Sequence, residues 1–308
     1  MKAWIASIQT LGATIKRLAL APTASEPFPP AAAGANITLE IPGPDRVWKN
    51  AYSLVCAPGE RQRYEIIVRR VAQSRGGSAW LHDHAAIGQV IEIGMPANFF
   101  PIAATAKKHL LLCAGIGITP FLSYLPALQS TGAAYELHHC GRADEAEVFR
   151  ALLPRAEHIV LYRGRNTLDL PKLLGAQDLQ THLYVCGPED FMEIVVANAL
   201  KLGWPRAKIH EERFGGATGG APFTVKLAKS GIALQVQADE TLLEALENAG
   251  LEAPSLCRGG ACGMCELPVL EGEPAHHDHF LSAQKRASNR AIMTCVSRAK
   301  TPELVLDF

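Results

Sequence analysis

Three cysteines crowded into one short loop, with a fourth far downstream, constrain this chain more than any other feature. Cys257, Cys262 and Cys265 follow a C-x4-C-x2-C spacing, and Cys295 stands 30 positions beyond Cys265. Two irons bridged by sulfide need four thiolates converging on them, three from a tight loop and one from elsewhere. Gly259, Gly260 and Gly263 let the main chain curl around such a group, and its N–H groups can then donate to the sulfurs. The spacing therefore points to a plant-type 2Fe–2S centre with Cys257, Cys262, Cys265 and Cys295 as metal ligands. Zinc and unligated thiols are the competing readings, but zinc sites usually pair two short Cys hairpins. Cys56, Cys113 and Cys140 lie in or at the ends of apolar runs and read as small buried fillers.

The residues around this loop form a coherent block. Phe223–Leu227 and Ala233–Val236 read as strands flanking a turn at Ser230–Gly231. A helix is expected from Glu240 to Ala249, because Leu242, Leu243, Leu246 and Ala249 fall on one face. With Phe280-Leu281-Ser282, this stretch resembles plant-type ferredoxins over its whole length, which implies an α+β (β-grasp) ferredoxin domain over 223–308. The resemblance places His276, His277 and His279 on an exposed loop before a helix capped by Ser282. A His-rich metal site is the alternative there. Arg258 is the loop's one long cationic side chain. It either orients an acidic patch on a partner, or packs its stem and tunes the cluster.

Upstream the rhythm differs. Residues 1–103 hold short β-type runs, among them 13–20, Asn36–Ile41, Ser53–Cys56 and Tyr64–Val71, broken by Pro- and Gly-containing turns. That pattern predicts a small antiparallel β-barrel or sandwich, with no long amphipathic helix. From 104 to 214 strands alternate with helices. The expected strands are His109–Cys113, Ala134–His139, His158–Tyr162 and Thr181–Cys186; the helices lie near 119–129, 144–153 and 189–202. Alternation of this kind predicts an α/β domain with a parallel sheet, whose ligands sit at the C-terminal strand ends. Residues 215–222, GGATGGAP, read as a linker.

Two Gly-bearing turns in the α/β stretch carry chemistry. Ala114-Gly115-Ile116-Gly117-Ile118-Thr119-Pro120 follows a strand and opens a helix, so a pyrophosphate can approach main-chain N–H groups there. Cys186-Gly187-Pro188 ends a later strand and opens another helix. In this order the two resemble the NAD domain of the ferredoxin–NADP reductase superfamily, where the Cys lies near the nicotinamide. A plain buried strand Cys is the bland reading of Cys186. Gly141-Arg142-Ala143-Asp144-Glu145 should lie near the adenosine ribose. Asp144 and Glu145 would repel a 2′-phosphate and favour NADH, whereas Arg142 could hold one.

In the barrel, Asn50-Ala51-Tyr52-Ser53 resembles the superfamily's R-x-Y-S, with Asn50 in place of the Arg. The resemblance implies that Tyr52 packs on a flavin and that Ser53 sits near its reactive nitrogen. Arg46 or Lys49 would then meet the phosphate charge. Arg75-Gly76-Gly77-Ser78 can offer N–H groups and a hydroxyl to a phosphate. Pro96-Ala97-Asn98-Phe99-Phe100-Pro101 and the order of the three domains resemble the phthalate dioxygenase reductase family. That family implies FMN, NADH and a 2Fe–2S cluster, with electrons passed to a separate oxygenase of Rieske type that acts as mono- or dioxygenase or demethylase. It also implies that Phe214 packs by the flavin. Ser53, Cys186 and Phe214 are thus the expected catalytic residues. The rival is a ferredoxin-like binding module fused to a degenerate flavin barrel, without NADH turnover.

Bulk properties narrow the partners. Lys plus Arg and Asp plus Glu both number 30 in 308 residues, so no general attraction to nucleic acid or anionic lipid is expected. The N-terminal MKAWIASIQTLGATIKRL is interrupted by Ser7, Gln9 and Thr10 and does not read as a signal peptide. No apolar run is long enough to span a membrane. A cytoplasmic location is expected, and the eight Cys residues then read as thiols or metal ligands.

Overall fold

Period-two burial builds the first sheet. Along Lys2–Gly12, Ala3 and Ile5 are buried while Lys2 and Trp4 are exposed, as an amphipathic strand requires. In this computed structural model, which describes residues 1–44, 46–71, 76–215 and 219–308, that strand sits inside a six-stranded antiparallel sheet. Its order is Val47–Ser53, Asn36–Pro42, Val90–Ile93, Lys2–Gly12, Ile15–Pro22, Tyr64–Arg69. A bridge between Leu54 and Ile66 and a bond from Val55 N to Glu65 O (2.9 Å) join the two edges into a barrel. The strand expected at Ser53–Cys56 instead runs from Val47 to Ser53. Its polar, half-buried Asn50 and Tyr52 broke the hydrophobic pattern that sequence reading relies on. The short helix Gly77–Asp83 was not expected either.

The α/β part has a fully parallel five-stranded sheet in the order Ile209–Glu212, Thr181–Cys186, Lys108–Ala114, Ala134–Gly141, Ile159–Arg163. The order reverses between Lys108–Ala114 and Thr181–Cys186, which makes that crevice the topological switch point. Helices Thr119–Thr131, Ala146–Leu152 and Glu189–Lys201 match the expected positions, and Leu170–Gly175 is additional. Barrel and sheet share one core: Ile15, Ile67 and Phe100 pack with Phe121, Tyr124 and Tyr184. Asn98 ties the seam, donating to Ala33 O at 2.8 Å and accepting from Phe100 N at 2.9 Å. Residues Met1–Arg213 accordingly form one compact unit.

Phe214–Phe308 is the other unit. Its sheet runs Ala233–Val236, Phe223–Leu227, Glu303–Leu306, Glu266–Glu271, Ala291–Met293, with Phe223–Leu227 and Glu303–Leu306 parallel. Helix Leu242–Asn248 crosses it, burying Leu242 and Leu246 with Val225 and Leu304. Thr241 caps the helix in a reciprocal box with Glu244, at 3.0 and 2.9 Å. This is the grasp of a helix by a sheet that the ferredoxin resemblance implied. Part of the expected linker, 216–218, lies outside the described residues. Among the described residues no helix is long and apolar enough to cross a membrane.

Candidate functional sites

In the second unit the four cysteines form two pairs. Cys265 and Cys295 place their sulfurs 3.0 Å apart, and Cys257 and Cys262 are hydrogen-bonded to each other. A binuclear centre takes two thiolates per iron, so a two-plus-two arrangement fits it. Among the described residues no three His, Cys, Asp or Glu side chains converge as a single-ion site. Main-chain N–H groups of Gly259 and Ala261 point at Cys257 Sγ, each at 3.4 Å. Gly260 adopts φ 74°, and a Cβ there would lie 2.8 Å from Val296 Cγ2, so the loop is closed around its glycines. Cys257, Cys265 and Cys295 are buried and Cys262 is partly exposed. The residues present therefore fit the cluster.

Two expectations around the loop change. Arg258 does not reach out as a docking cation: its guanidinium clasps Glu247 with both terminal nitrogens (2.9 and 2.7 Å), and its side chain is 9 % exposed. Of the three loop histidines, His277 and His279 are exposed, but the His276 ring is largely buried 3.6 Å from Asp278. Asp278 is itself buried and accepts from the N–H groups of Phe280 (3.2 Å) and Leu281 (2.8 Å). It pins the loop and draws His276 inward. Ser282 caps the next helix, accepting from Lys285 N at 3.2 Å.

In the first unit the two Gly-bearing turns meet at the switch point. A Cβ on Gly117 would stand 2.3 Å from Cys186 O and 2.7 Å from Gly187 N. Gly187 is similarly tight against Ala114 N, at 3.1 Å. Only glycines permit this contact, which is why both turns need them. Thr119 is buried and donates to Ile116 O at 3.0 Å, holding the turn that opens helix Thr119–Thr131. Pro188 stands at the cap of helix Glu189–Lys201. His139, also buried, bonds through Nε2 to Gly115 O at 3.0 Å; burial holds its pKa down to about 4, so the ring is neutral.

Glu212 completes the site, and sequence reading missed it. It ends the polar strand Ile209–Glu212 and pairs in register with Cys186. Ser53 of the barrel hydrogen-bonds its carboxyl group, while burial pushes its pKa up to about 8. Glu212 Oε2 is buried with no partner among the described residues. Burial and then the nearby Glu212 raise the Cys186 thiol well above its ordinary value, so Cys186 is a neutral thiol. Ser53, Cys186 and Glu212 thus form a small polar group at the mouth of the sheet. The signal that could have found Glu212 was its place beside Phe214. Phe214 opens the second unit and is 45 % exposed.

Tyr52 lies along the barrel strand beside Ser53. Asn50 Nδ2 donates to its hydroxyl at 3.3 Å, and burial pushes the phenol up to about 12. Gly76 and Gly77 approach this strand so closely that a Cβ on either would strike Trp48 or Asn50. Ser78 follows, buried at the start of helix Gly77–Asp83. These are the residues that the sequence resemblance assigns to a flavin, gathered at one end of the barrel strand. Arg75, expected here too, lies outside the described residues. Lys49, expected to meet phosphate charge, has its ammonium 3.8 Å from Glu40. At the other rim, Arg142 is bonded to Asp144 (3.2 and 3.1 Å), and Arg69 to Glu145 (2.5 Å).

Comparison with known proteins agrees with this anatomy. Residues 225–300 match the 2Fe-2S iron-sulfur cluster binding domain family. Residues 98–209 match the N-terminal domain of dimethylamine monooxygenase subunit DmmA-like proteins. The chain is 42% identical to the heme-dependent oxidative N-demethylase beta subunit of Ectopseudomonas mendocina, over 99% of this chain and 97% of that protein. It is 34% identical to phthalate dioxygenase reductase of Burkholderia cepacia, over 99% and 96%. A solved structure of phthalate dioxygenase reductase, described as modular for electron transfer from pyridine nucleotides to 2Fe–2S, superposes with TM-score 0.84. It shares 33% identity and covers 100% of this chain and 98% of that one.

Proposed function

Because the chain belongs to the phthalate dioxygenase reductase family, we propose that it is the NADH-oxidising reductase of an oxygenase system. When bound, the flavin would accept one hydride, two electrons, from NADH, and the cluster would carry them onward singly. The protein's own residues position and tune. The observation that carries this reading is the meeting of Ser53, Cys186 and Glu212 at the switch point, in a chain that also holds two thiol pairs.

The roles divide along the chain. Residues 1–103 hold the flavin, with Tyr52 and Ser53 against the ring and Gly76, Gly77 and Ser78 toward its phosphate. Residues 104–214 hold the nucleotide, with Gly115, Gly117 and Thr119 at the pyrophosphate and Cys186, Gly187 and Pro188 by the nicotinamide. Phe214, which the resemblance assigns to the flavin, follows at the start of the second unit. After the linker at 215–222, residues 223–308 hold the cluster on Cys257, Cys262, Cys265 and Cys295. The family resemblance supports FMN as the flavin. NADH is the proposed donor, because Arg142 is already engaged by Asp144. A cytoplasmic location belongs to this reading. A binding module without NADH turnover has only Asn50 in its favour.

A Rieske-type oxygenase is the partner that the sequence resemblance implied. The 42%-identical relative is named for a heme-dependent N-demethylase, which favours an oxygenase that demethylates an amine. The test is spectroscopic. Purified protein should show flavin and cluster absorbance that bleaches anaerobically with NADH, and acid should release FMN. Protein that releases FAD, or that does not bleach, would refute the corresponding part of the reading.

A further inference from the structure

Strand Val47–Ser53 carries Trp48, Asn50 and Tyr52 at alternate positions, and alternate residues of a strand share a face. Asn50 stands where the resembling motif has an Arg, so the phosphate of a flavin lacks its usual cation here. Trp48 Nε1 is buried and has no hydrogen-bond partner among the described residues. Buried indole N–H groups usually find an acceptor, so an orphan one marks a place where an acceptor belongs.

Its location identifies that acceptor. Gly76 has φ 130°, and a Cβ there would lie 2.0 Å from Trp48 Cζ2 and 2.3 Å from Cε2, the carbon bonded to Nε1. A Cβ on Gly77 would lie 2.4 Å from Asn50 Nδ2. Two N–H-bearing side chains therefore press on two consecutive glycines. The Asn50 amide gives one hydrogen to Tyr52 and has a second to give. Tyr52 and Trp48 are four residues apart, roughly 13 Å along a strand. On the reading of this strand as the flavin site, a ribityl phosphate leaving a ring at Tyr52 would run past Asn50 toward Trp48.

We infer that Trp48 Nε1 and Asn50 Nδ2, beside the Gly76–Gly77 main chain, form the subsite for the flavin's phosphate ester. Neutral donors replace the missing guanidinium. Hydrogen bonds to an ionised acceptor are the strong ones, so such a subsite can hold a phosphate without a cation from this strand. The assignment rests on the reading of the barrel as an FMN site.

The test uses full-length protein stripped of flavin and titrated with FMN, FAD and riboflavin, read by quenching of flavin fluorescence. Trp48→Phe keeps a ring against Gly43 and Gly76 but removes the N–H. It should weaken FMN by about tenfold or more, roughly 1.4 kcal/mol, and leave riboflavin unchanged. Asn50→Asp, which sets a carboxylate against phosphate, should likewise lower FMN relative to riboflavin. Equal losses for both flavins would show that Trp48 only packs, and no loss for either would remove it from the site. If the wild type takes FAD as tightly as FMN, the FMN reading fails. The ratio of phosphorylated flavin to riboflavin in Trp48→Phe then still decides the subsite.

Discussion

Arg258 shows how much one side chain's surroundings decide. Its sequence position allowed either a docking cation or a packed strut. The clasp on Glu247, formed by a residue at φ 51°, selects the strut. A non-glycine residue holds that backbone region only when its surroundings enforce it. Arg258→Gln breaks a mostly buried bidentate pair and should destabilise the cluster loop by about 2 kcal/mol. Cluster absorbance should then be lost at a lower temperature, while the salt dependence of transfer to the oxygenase stays as in the wild type. Altered salt dependence with unchanged thermal loss would restore the docking role. Glu212 makes the second residue-scale case. Its pKa in the folded protein, about 8, lies above the ordinary 4.5, so the folded protein keeps a proton there at pH 7. On the proposed reading, ionisation near pH 8 would put a buried anion beside the site where a reduced flavin would bring further negative charge. NADH–ferricyanide turnover should therefore fall above about pH 8, and Glu212→Gln should flatten that alkaline limb. An unchanged limb in the variant would assign it to another group.

Elements were legible where their pattern was regular and hidden where function interrupted it. Thr181–Cys186 is buried throughout, as a strand covered on both faces is, and its observed bounds are the expected ones. Ile209–Glu212 reads IHEE and gave no signal, yet it delivers Glu212. Val47–Ser53 was misplaced for the same reason: the half-buried Lys49, Asn50 and Tyr52 interrupt its apolar pattern. The short 3-10 turn Ala143–Glu145 was expected to govern nucleotide choice by acidic repulsion. The structure instead shows both carboxylates paired with arginines, Asp144 with Arg142 and Glu145 with Arg69. On the proposed reading, the acidic residues would discriminate by occupying Arg142 as much as by repelling a 2′-phosphate. NADH should exceed NADPH by at least about tenfold in kcat/KM, roughly 1.4 kcal/mol. Asp144→Asn frees Arg142 and should narrow the ratio several-fold by improving NADPH, with the flavin spectrum unchanged. A ratio that stays fixed would place discrimination outside this turn.

At the scale of the whole molecule, the division of the chain assigns its chemistry. The residues proposed for flavin and nucleotide, Phe214 excepted, belong to Met1–Arg213, and all four cysteines proposed for the cluster belong to Phe214–Phe308. Each unit has its own buried residues: Phe100, Tyr124 and Tyr184 in one, Val225, Leu246 and Leu304 in the other. A fault confined to the cluster loop removes no contact from the first unit's core. Cys262 is the ligand to test, since it is the least buried of the four, so its replacement leaves the smallest packing defect. An alcohol oxygen is a poor ligand for iron in a thiolate–sulfide centre. Cys262→Ser should therefore abolish the 2Fe–2S absorbance and electron paramagnetic resonance signals, together with transfer to the oxygenase. Ferricyanide takes electrons from the flavin directly, so NADH–ferricyanide turnover should stay within about twofold of wild type, as for a substitution remote from that site. Loss of both activities would show that the first unit depends on the cluster for its function, and the chain would then have to be treated as a single redox unit.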